Sequence, residues 1–297
     1  MKFINFDYQG KASLGVLLDD DTILDLSRIW PSQPAPASID ALIRLGDAGV
    51  AQARTLMADA SADASVPLAS ATVLTPVEAA GRNIFNVGRN YRDHIIEGNL
   101  ANGRPADAFP IAIEFFTKPR TALAAHGTPI LRHAALTQSL DYEVELAIVI
   151  GKGGRDITAD RAMEHVFGYT ILNDVTARDL QRKHGQWFKG KSLDTSCPVG
   201  PVVVHASAVD NPNSLELELD VDGELRQRDN TDSMIFDVSE IIVQLSAGMT
   251  LLPGDVIATG TPKGVGFAMK PPRCLQAGQT VRARIHGIGE LVNTVVD

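Results

Sequence analysis

The stretch that constrains this chain most joins two glutamates, Glu143 and Glu145, to an apolar run. Residues 144–150 read Val-Glu-Leu-Ala-Ile-Val-Ile, and Gly151 closes the run. β-Branched and aliphatic residues over this length, ended by glycine, predict a buried β-strand. Because side chains alternate along a strand, Glu143 and Glu145 are expected on one face, followed there by apolar residues. The two carboxylates therefore occupy one end of a strand whose remainder requires burial.

These carboxylates admit two interpretations. Two anions about 6–7 Å apart repel each other by roughly 2–3 kcal/mol at an effective dielectric constant near 20, and a bound cation would remove that cost. The alternative is a solvated strand end that needs no ligand. Asp174 ends another predicted strand, over 168–174, and adds a third carboxylate, although it is equally compatible with an N-cap of the helix predicted over 175–183.

The ligand types limit which metal such a site would hold. Oxygen-only ligands favour a hard cation, Mg²⁺, Mn²⁺ or Ca²⁺, with the remaining positions open to water or substrate. The chain has no cluster of histidine and cysteine with zinc spacing.

Strand patterns dominate the chain beyond residue 80, and few helical patterns lie between them. The strand-like runs are 84–87, 114–119, 168–174, 199–204, 215–221, 224–228, 256–259, 280–285 and 291–295, and helical patterns fall near 159–165 and over 238–247. A doubly wound sheet would alternate strands with helices. This order instead predicts a mainly β protein with some α structure, built as a mainly antiparallel sandwich or roll.

The first part of the chain differs in character. Residues 38–45 and 50–57 have helical patterns, and residues 58–71, rich in Ala, Ser and Asp, are typical of a surface connection. We therefore predict a small N-terminal α+β domain over residues 1–75 and a second domain over residues 76–297.

Charge and composition limit the partners and the location. The formal net charge of −9 disfavours nucleic acid and anionic membranes, which require a basic face, but allows a small anionic substrate at a local cation or metal. No signal peptide and no apolar run near the roughly 18 residues of a membrane span is present. The two cysteines, Cys197 and Cys274, predict no disulfide framework, and we expect a reducing, cytoplasmic location.

A histidine and a glutamate lie three residues apart in a short predicted helix. Residues 88–98 are typical of a turn followed by a helix that Gly98 ends, so His94 and Glu97 share a face. The pair is either a plain helix-surface contact or a functional pair in which Glu97 holds the imidazole tautomer and raises its basicity. Residues 99–110, polar and with two prolines, predict a mobile loop.

Other candidate residues lie after Asp174 and in a loop that follows a later predicted strand. Arg178 and Gln181 are expected on one face of the next helix, and Lys191 stands beside Gly190, which allows a close approach of backbone. Each is equally compatible with an exposed surface position. Residues 260–266 form a glycine-rich loop that lacks the P-loop ending. This loop is either an ordinary turn or a source of N–H groups and the Thr261 hydroxyl for a carboxylate.

Six stretches together resemble the fumarylacetoacetate hydrolase superfamily, in the family's order and over roughly residues 80–297. They are Gly88–His94, Phe116–Pro119, Asp141–Leu146, Asn173–Gln181, Gly190–Ser192 and Thr259–Gly266. The resemblance implies a mixed β-sandwich roll of the family's C-terminal type as the metal-binding catalytic domain, and a homodimer. Residues 1–75 resemble the small N-terminal domain that many members carry.

By motif position, the resemblance also implies roles for individual residues. Glu143, Glu145 and Asp174 would be metal ligands for Mg²⁺ or Mn²⁺, with Ca²⁺ possible in crystals. His94 and Glu97 would match the His–Glu dyad on the lid of acylpyruvase-like members, and together with Lys191 they would be the catalytic positions. The substrate-binding positions would be Arg89, Tyr91, Arg178, Gln181, Gly260 and Thr261. Two features depart from the family pattern: residues 98–110 are longer than in the shortest acylpyruvases, and Asn86 replaces a commoner small or apolar residue.

The implied activity is hydrolysis of a carbon–carbon bond in acylpyruvates or other 2,4-diketo acids, as in the catabolism of aromatic compounds. Water activated by the His94–Glu97 dyad would attack the distal carbonyl and leave a metal-stabilised pyruvate enolate. The family also contains isomerases of the 2-hydroxyhepta-2,4-diene-1,7-dioate type and oxaloacetate decarboxylases, which share this enolate chemistry. A non-catalytic ligand-binding protein on the same scaffold is the third alternative.

Overall fold

The strand predicted from Val144 onward forms over Val144–Ile150, and each of its 7 residues is buried. It belongs to a computed structural model that describes residues 1–19, 21–59 and 62–297. Numbered along the chain, the strands are β1 Lys2–Tyr8, β2 Lys11–Leu17, β3 Thr22–Asp25, β4 Ser65–Pro67, β5 Thr72–Val73, β6 Ile84–Gly88, β7 Glu114–Lys118, β8 Leu123–Ala124, β9 Ile130–Leu131, β10 Leu140–Asp141, β11 Val144–Ile150, β12 Val166–Asn173, β13 Thr176–Ala177, β14 Cys197–His205, β15 Glu216–Val221, β16 Glu224–Asn230, β17 Val256–Ala258, β18 Thr280–Ile285 and β19 Gly289–Val296. The helices are α1 Leu26–Ile29, α2 Ile39–Arg44, α3 Gly46–Ala58, α4 Arg92–Ala101, α5 Arg178–Lys183, α6 Phe188–Lys191 and α7 Val238–Ser246.

Most strands join two sheets. The larger has the order β4-β3-β2-β1-β14-β12-β11-β17-β6-β7, and the smaller has the order β16-β15-β18-β19-β9. Neighbours are mostly antiparallel; β17 with β6 and β19 with β9 are parallel pairs. β11 therefore lies inside the larger sheet, between β12 and β17. The prediction of a mainly β, mainly antiparallel protein with some α structure is confirmed.

The larger sheet is covered on both faces, which explains why every residue of β11 after Glu145 is apolar. Leu146 and Ile148 point into a core shared with the smaller sheet. Ala147 and Val149 point the other way, into a core shared with α2 and α3. Burial of each large aliphatic side chain contributes roughly 1.5–3 kcal/mol, so the alternation fixes the register of the strand.

The larger sheet crosses the predicted domain boundary. Residue Phe3 of β1 pairs with Val203 of β14, and the Phe3 ring lies 5.8 Å from that of Phe167 in β12. Strand β4 also pairs with β3, within the stretch expected to be a surface connection. The sheet therefore has no break at residue 75, and the division into residues 1–75 and 76–297 stays a prediction.

Three predicted helices have different bounds in the structure. α4 continues through Gly98 to Ala101, and Gly103, with φ of 68°, provides the left-handed residue after its end. The helix predicted near 159–165 is a 3₁₀ turn over Ala162–His165. α5 begins only at Arg178 because Thr176–Ala177 pairs with Leu140–Asp141. Within the described residues, no helix has the length and apolar character needed to cross a membrane.

Candidate active site

Three carboxylates meet at the junction of β11 and β12. The register pairs Val144 with Asn173, and the Asp174 N–H donates to the Glu143 carbonyl oxygen at 2.8 Å, so Asp174 follows β12 directly beside the start of β11. Glu143, Glu145 and Asp174 each offer an oxygen within 4.8 Å of the others. Their side chains are buried, so the solvated strand end is wrong. The N-cap alternative for Asp174 is also wrong, because Ala177 precedes α5 and makes no side-chain cap.

Two buried lysines bind this triad of Glu143, Glu145 and Asp174. Lys191 Nζ donates to Glu143 Oε2 at 2.7 Å and to Asp174 Oδ2 at 2.6 Å. Lys118 Nζ donates to Asp174 Oδ1 at 2.7 Å and to the Val175 carbonyl at 3.0 Å. The surface alternative for Lys191 is therefore wrong. Lys118 was not among the predicted site residues, although the Phe116–Pro119 stretch that contains it was noted.

A buried arginine completes the cationic side. Arg178 Nε donates to Asp141 Oδ2 at 2.9 Å, and its Nη2 donates to Glu143 Oε1 at 2.6 Å. Asp141 in turn accepts from the N–H groups of Gly266 and Phe267 at 2.8 and 3.1 Å. Asp141 was not among the predicted site residues, although it begins the Asp141–Leu146 stretch that resembles the family.

Charges in this cluster do not balance. Four carboxylates (the triad and Asp141) face three cations (Lys118, Lys191 and Arg178), which leaves one negative charge. Of these four carboxylates, Glu145 is the one that has no cation bonded to it among the described residues. Its Oε2 accepts only from the Gly260 N–H, at 2.8 Å.

The pKa shifts follow this distribution of charge. Burial raises the pKa of Glu145, and the neighbouring charges of Asp174 and Glu143 raise it further. Burial also opposes ionisation of Glu143, but the charges of Arg178 and Lys191 outweigh it and hold the pKa of that carboxyl below its usual range. Likewise, Asp174 and Glu143 overcome the burial of Lys191 and raise its pKa. A buried oxygen triad with a surplus negative charge fits a hard divalent cation.

The His94–Glu97 pair forms on α4. His94 Nδ1 lies 3.1 Å from Glu97 Oε1. The Gly264 N–H lies 3.0 Å from both Glu97 oxygens, and the Val265 N–H lies 3.4 Å from Oε1. Because a carboxylate only accepts, Nδ1 carries the proton and the Nε2 lone pair of a neutral ring stays available.

The glycine-rich loop supplies its N–H groups to the protein's own carboxylates. Gly260 donates to Glu145, Gly264 to Glu97 and Gly266 to Asp141. The Thr261 hydroxyl donates to the Val144 carbonyl at 2.9 Å and accepts from the buried Gln227 amide at 2.9 Å. The loop therefore holds Glu145, Glu97 and Asp141 in place. Gln227 is a further residue that was not among the predicted site residues.

A cavity of about 530 Å³ brings most of the predicted residues together. It is lined by the triad together with Arg89, His94, Arg178, Gln181, Lys191 and Thr261. Glu97, Tyr91 and Gly260 do not line it. Tyr91 is fully buried, and its hydroxyl has no hydrogen-bond partner within the described residues.

Arg89 and Trp187 shape the wall of this cavity. Arg89 donates to Glu114 Oε1 at 3.1 Å and to the Ala108 carbonyl, so it connects β7 to the segment after α4. Trp187 packs against Gly88, where a Cβ atom would lie 2.2 Å from the indole. Only glycine at residue 88 therefore leaves room for this indole.

Comparison with known proteins identifies the family. The fumarylacetoacetate (FAA) hydrolase C-terminal family matches residues 83–296. An oxaloacetate tautomerase, YisK of Bacillus subtilis (strain 168), is 42% identical over 305 residues, which cover 99% of this chain and 100% of that protein.

Solved structures agree with this match. A fumarylacetoacetate hydrolase from the psychrophile Exiguobacterium antarcticum is 43% identical with a TM-score of 0.82, covering 100% of this chain and 99% of that one. Maleylpyruvate hydrolase from Sphingobium sp. SYK-6, in complex with manganese(II) and pyruvate, is 32% identical with a TM-score of 0.77, covering 100% and 99%. Further similar structures are named as isomerases.

Proposed function

The chain belongs to the fumarylacetoacetate hydrolase family, and on that premise we propose that it is an enzyme that converts a small 2-oxo acid through its enolate. The observation that carries this proposal is the position of His94 in the same cavity as the buried triad. A group that moves a proton and a group that stabilises an oxyanion are the two parts that enolisation requires.

Glu143, Glu145 and Asp174 would hold Mg²⁺ or Mn²⁺. A bound divalent cation acts as a Lewis acid on the keto and carboxylate oxygens of a 2-oxo acid. The chain's own cations hold the carboxylates that would bind this metal. Lys191 and Arg178 fix the ligand carboxylates through short charge-assisted hydrogen bonds, and Lys118 fixes Asp174 from behind.

In this proposal, His94 Nε2 is the proton-transfer atom. Glu97 holds the ring through Nδ1, and the N–H groups of Gly264 and Val265 hold Glu97. The imidazole is therefore fixed in one tautomer and one orientation before substrate binds, which lowers the cost of reaching the reactive geometry.

The first candidate reaction is keto–enol interconversion of oxaloacetate, which was not among the reactions predicted from the sequence. His94 would take a proton from C3, the electron pair would move to the C2 oxygen, and that oxygen would receive a proton. The full-length likeness to an oxaloacetate tautomerase favours this reaction.

The second candidate is the predicted hydrolysis of an acylpyruvate. His94 would take a proton from water, the hydroxyl would add to the distal carbonyl, and cleavage of the carbon–carbon bond would release a carboxylic acid and the pyruvate enolate, which is then protonated. The likeness to a maleylpyruvate hydrolase favours it. Isomerisation and decarboxylation use the same enolate and remain alternatives.

A side-by-side assay tests these outcomes. Purified protein with Mn²⁺ is given oxaloacetate, acetylpyruvate, fumarylpyruvate and a hydroxymuconate, and products are separated chromatographically, with the enol of oxaloacetate followed by its ultraviolet absorbance. We expect turnover of at least one substrate, a loss of about 10²–10⁴-fold in kcat for His94→Ala, and unchanged Mn²⁺ binding. His286→Ala, an exposed histidine between β18 and β19, is the matched control.

Normal turnover by His94→Ala would remove the dyad from the mechanism. Absence of turnover by the wild-type protein, with Mn²⁺ bound, would favour the non-catalytic ligand-binding alternative. The homodimer and the cytoplasmic location stay predictions that sedimentation and cell fractionation would test.

A further inference from the structure

A second cavity, of about 510 Å³, is lined by Tyr142, Arg226 and Arg273 together with neighbouring polar side chains, and is named the rear cavity. Among the described residues, it shares no lining residue with the cavity that contains the triad. Tyr142 lines the rear cavity, whereas the next residue, Glu143, lines the substrate cavity. This segment of the chain therefore separates the two cavities.

The lining of the rear cavity provides guanidinium groups and no carboxylate. Arg226 and Arg273 both line it, and no aspartate or glutamate does so within the described residues. The two arginines form ion pairs with one shared carboxylate, that of the exposed Glu224, which lies outside the lining. Two guanidinium charges therefore have a single carboxylate bonded to them.

Arg226 is the more buried of the two and has weak partners. Its side chain is 5% exposed, against 46% for Arg273. Its Nη1 donates to Met269 Sδ at 3.4 Å and its Nη2 to Glu224 Oε2 at 3.3 Å, while its buried Nε has no hydrogen-bond partner among the described residues. A thioether sulfur is a weak acceptor, and a buried charged donor without a partner costs free energy that a bound acceptor would recover.

Backbone contacts hold the walls of the rear cavity in place. The Tyr142 hydroxyl donates to the Gly264 carbonyl at 3.1 Å, and the Arg273 N–H donates to the Gly266 carbonyl at 2.9 Å. Gly264 also packs on the backbone of Arg226, where a Cβ atom would lie 2.0 Å from the Arg226 carbonyl oxygen. Both arginines therefore extend from fixed backbone, which lowers the entropic cost of binding a ligand at this cavity.

We propose that the rear cavity binds a small oxyanion, the phosphate or carboxylate group of a metabolite, through Arg226 and Arg273. A guanidinium offers two parallel N–H donors to such a group, and hydrogen bonds between ionised partners are the stronger ones. The site is separate from the substrate cavity and does not depend on the function proposed above.

Cys274 reports whether the rear cavity is occupied. It lines this cavity and is partly exposed, whereas Cys197, the other cysteine, is fully buried. The Mg²⁺-loaded protein is alkylated with iodoacetamide, and the Cys274 peptide is quantified by mass spectrometry. We expect about 10 mM inorganic phosphate to slow the alkylation about tenfold, as for a Kd of about 1 mM. Sodium chloride at the same ionic strength should leave the rate unchanged, and acetate is tested in parallel as the carboxylate.

Variants assign the protection to the two arginines. Arg226→Met and Arg273→Met should each reduce the protection by phosphate to about twofold, because loss of a hydrogen bond to a charged group weakens binding about tenfold. Rates with and without phosphate are compared within each variant, since the arginines themselves act on the thiol. Arg228→Met is the matched control, because Arg228 is exposed on the same strand, β16, and does not line the rear cavity.

Each outcome supports or overturns the proposal. Protection that both arginine substitutions weaken supports it, and the response to phosphate or acetate identifies the oxyanion. Absence of protection by either anion in the wild-type protein overturns it, as does protection that survives both substitutions or that Arg228→Met weakens equally. If Arg226→Met does not fold, the exposed Arg273 decides through Arg273→Met.

Discussion

Among the carboxylates of the site, Glu145 has the fewest stabilising partners. Its carboxylate is 1% exposed, accepts one backbone N–H and lies near two other carboxylates, while the surrounding cations bond to Glu143, Asp174 and Asp141. An ionised carboxylate in such a place is costly unless a cation joins it. In the proposed metal site, the charge that destabilises the metal-free protein would attract a divalent cation.

We predict that Glu145→Gln stabilises the metal-free protein. The amide keeps the shape and an oxygen acceptor for the Gly260 N–H but removes the charge, so the free energy of unfolding at pH 7 should rise by about 1–3 kcal/mol. Denaturation in urea with EDTA measures this change, and Mn²⁺ should raise the midpoint of the wild-type protein but not of the variant. Glu164→Gln, at an exposed glutamate, is the control. A less stable metal-free variant would contradict the account.

The pH dependence of that difference has a definite sign. The pKa of Glu145 is raised in the folded protein, so the folded state holds the proton more tightly than the unfolded state, whose pKa is about 4.3. The stability of the metal-free wild-type protein relative to Glu145→Gln should therefore fall as the pH rises above about 4.3, until the folded-state pKa is passed. Urea denaturation of both proteins at several pH values tests this trend, and a difference that grows with pH would contradict it.

Lys118, in contrast, stabilises the carboxylate cluster with a positive charge. Its ammonium is fully buried against Asp174 Oδ1 at 2.7 Å. We predict that Lys118→Met lowers the free energy of unfolding by about 3–5 kcal/mol, since it leaves part of a buried carboxylate without its partner. The change is measured by urea denaturation with and without Mn²⁺. Lys189→Met, at an exposed lysine, is the control, and an equal loss in both variants would show that the buried pair is unimportant.

At the scale of elements, helix α4 is held against the glycine-rich loop at two points. Glu97 accepts from the Gly264 and Val265 N–H groups, and Asp93 pairs with Lys263 at 2.6 Å on the surface. An exposed ion pair contributes little, whereas a carboxylate that accepts backbone N–H groups is a stronger contact. The orientation of His94 therefore depends mainly on Glu97.

We predict that Glu97→Ala loosens both elements. Amide hydrogen exchange of Gly264, Val265 and the helix Arg92–Ala101 should become faster by about tenfold, as expected when roughly 1.4 kcal/mol of local contacts is lost. Asp93→Asn, which removes only the exposed pair, should change exchange little. Equal effects of the two substitutions would place the anchor in the surface ion pair.

At the scale of the whole molecule, the N-terminal residues and the site share one sheet. The pairing of β1 with β14 and the contact of Phe3 with Phe167 cross the predicted boundary near residue 75. Helices α2 and α3 cover the same face of the sheet that contains Ala147 and Val149 in β11. Stability of the site and of residues 1–75 is therefore expected to be coupled.

The two tryptophans test this coupling directly. Trp30 is buried with the N-terminal helices, and Trp187 lines the cavity. In Trp187→Phe the fluorescence reports Trp30, and in Trp30→Phe it reports Trp187. We predict that, in each variant, the urea transition followed by fluorescence coincides with the transition followed by circular dichroism. Separate transitions within a variant would instead establish residues 1–75 as an independent domain.

Local patterns in the sequence were enough for the elements with strong periodicity. The strand Val144–Ile150 is apolar on both faces after Glu145, and Ser38 caps α2 through its hydroxyl, so both elements could be predicted from neighbouring residues alone. The end of α4 could not, because Gly98 keeps helical geometry and the left-handed turn falls at Gly103. The start of α5 depends on the pairing of Thr176 with Asp141, a contact between distant residues.

For the site, the sequence by itself determined the donor types: three carboxylates, a His–Glu pair and the lysine Lys191. Motifs record chemical identity, which is local. Only the tertiary structure decided how the charges are shared, since Lys118 reaches Asp174 across 56 residues and Gln227 reaches Thr261 across 34. It also decided that the glycine-rich loop donates to Glu97 and Glu145, because burial and distance, which set electrostatic energies, exist only once the sheets have packed.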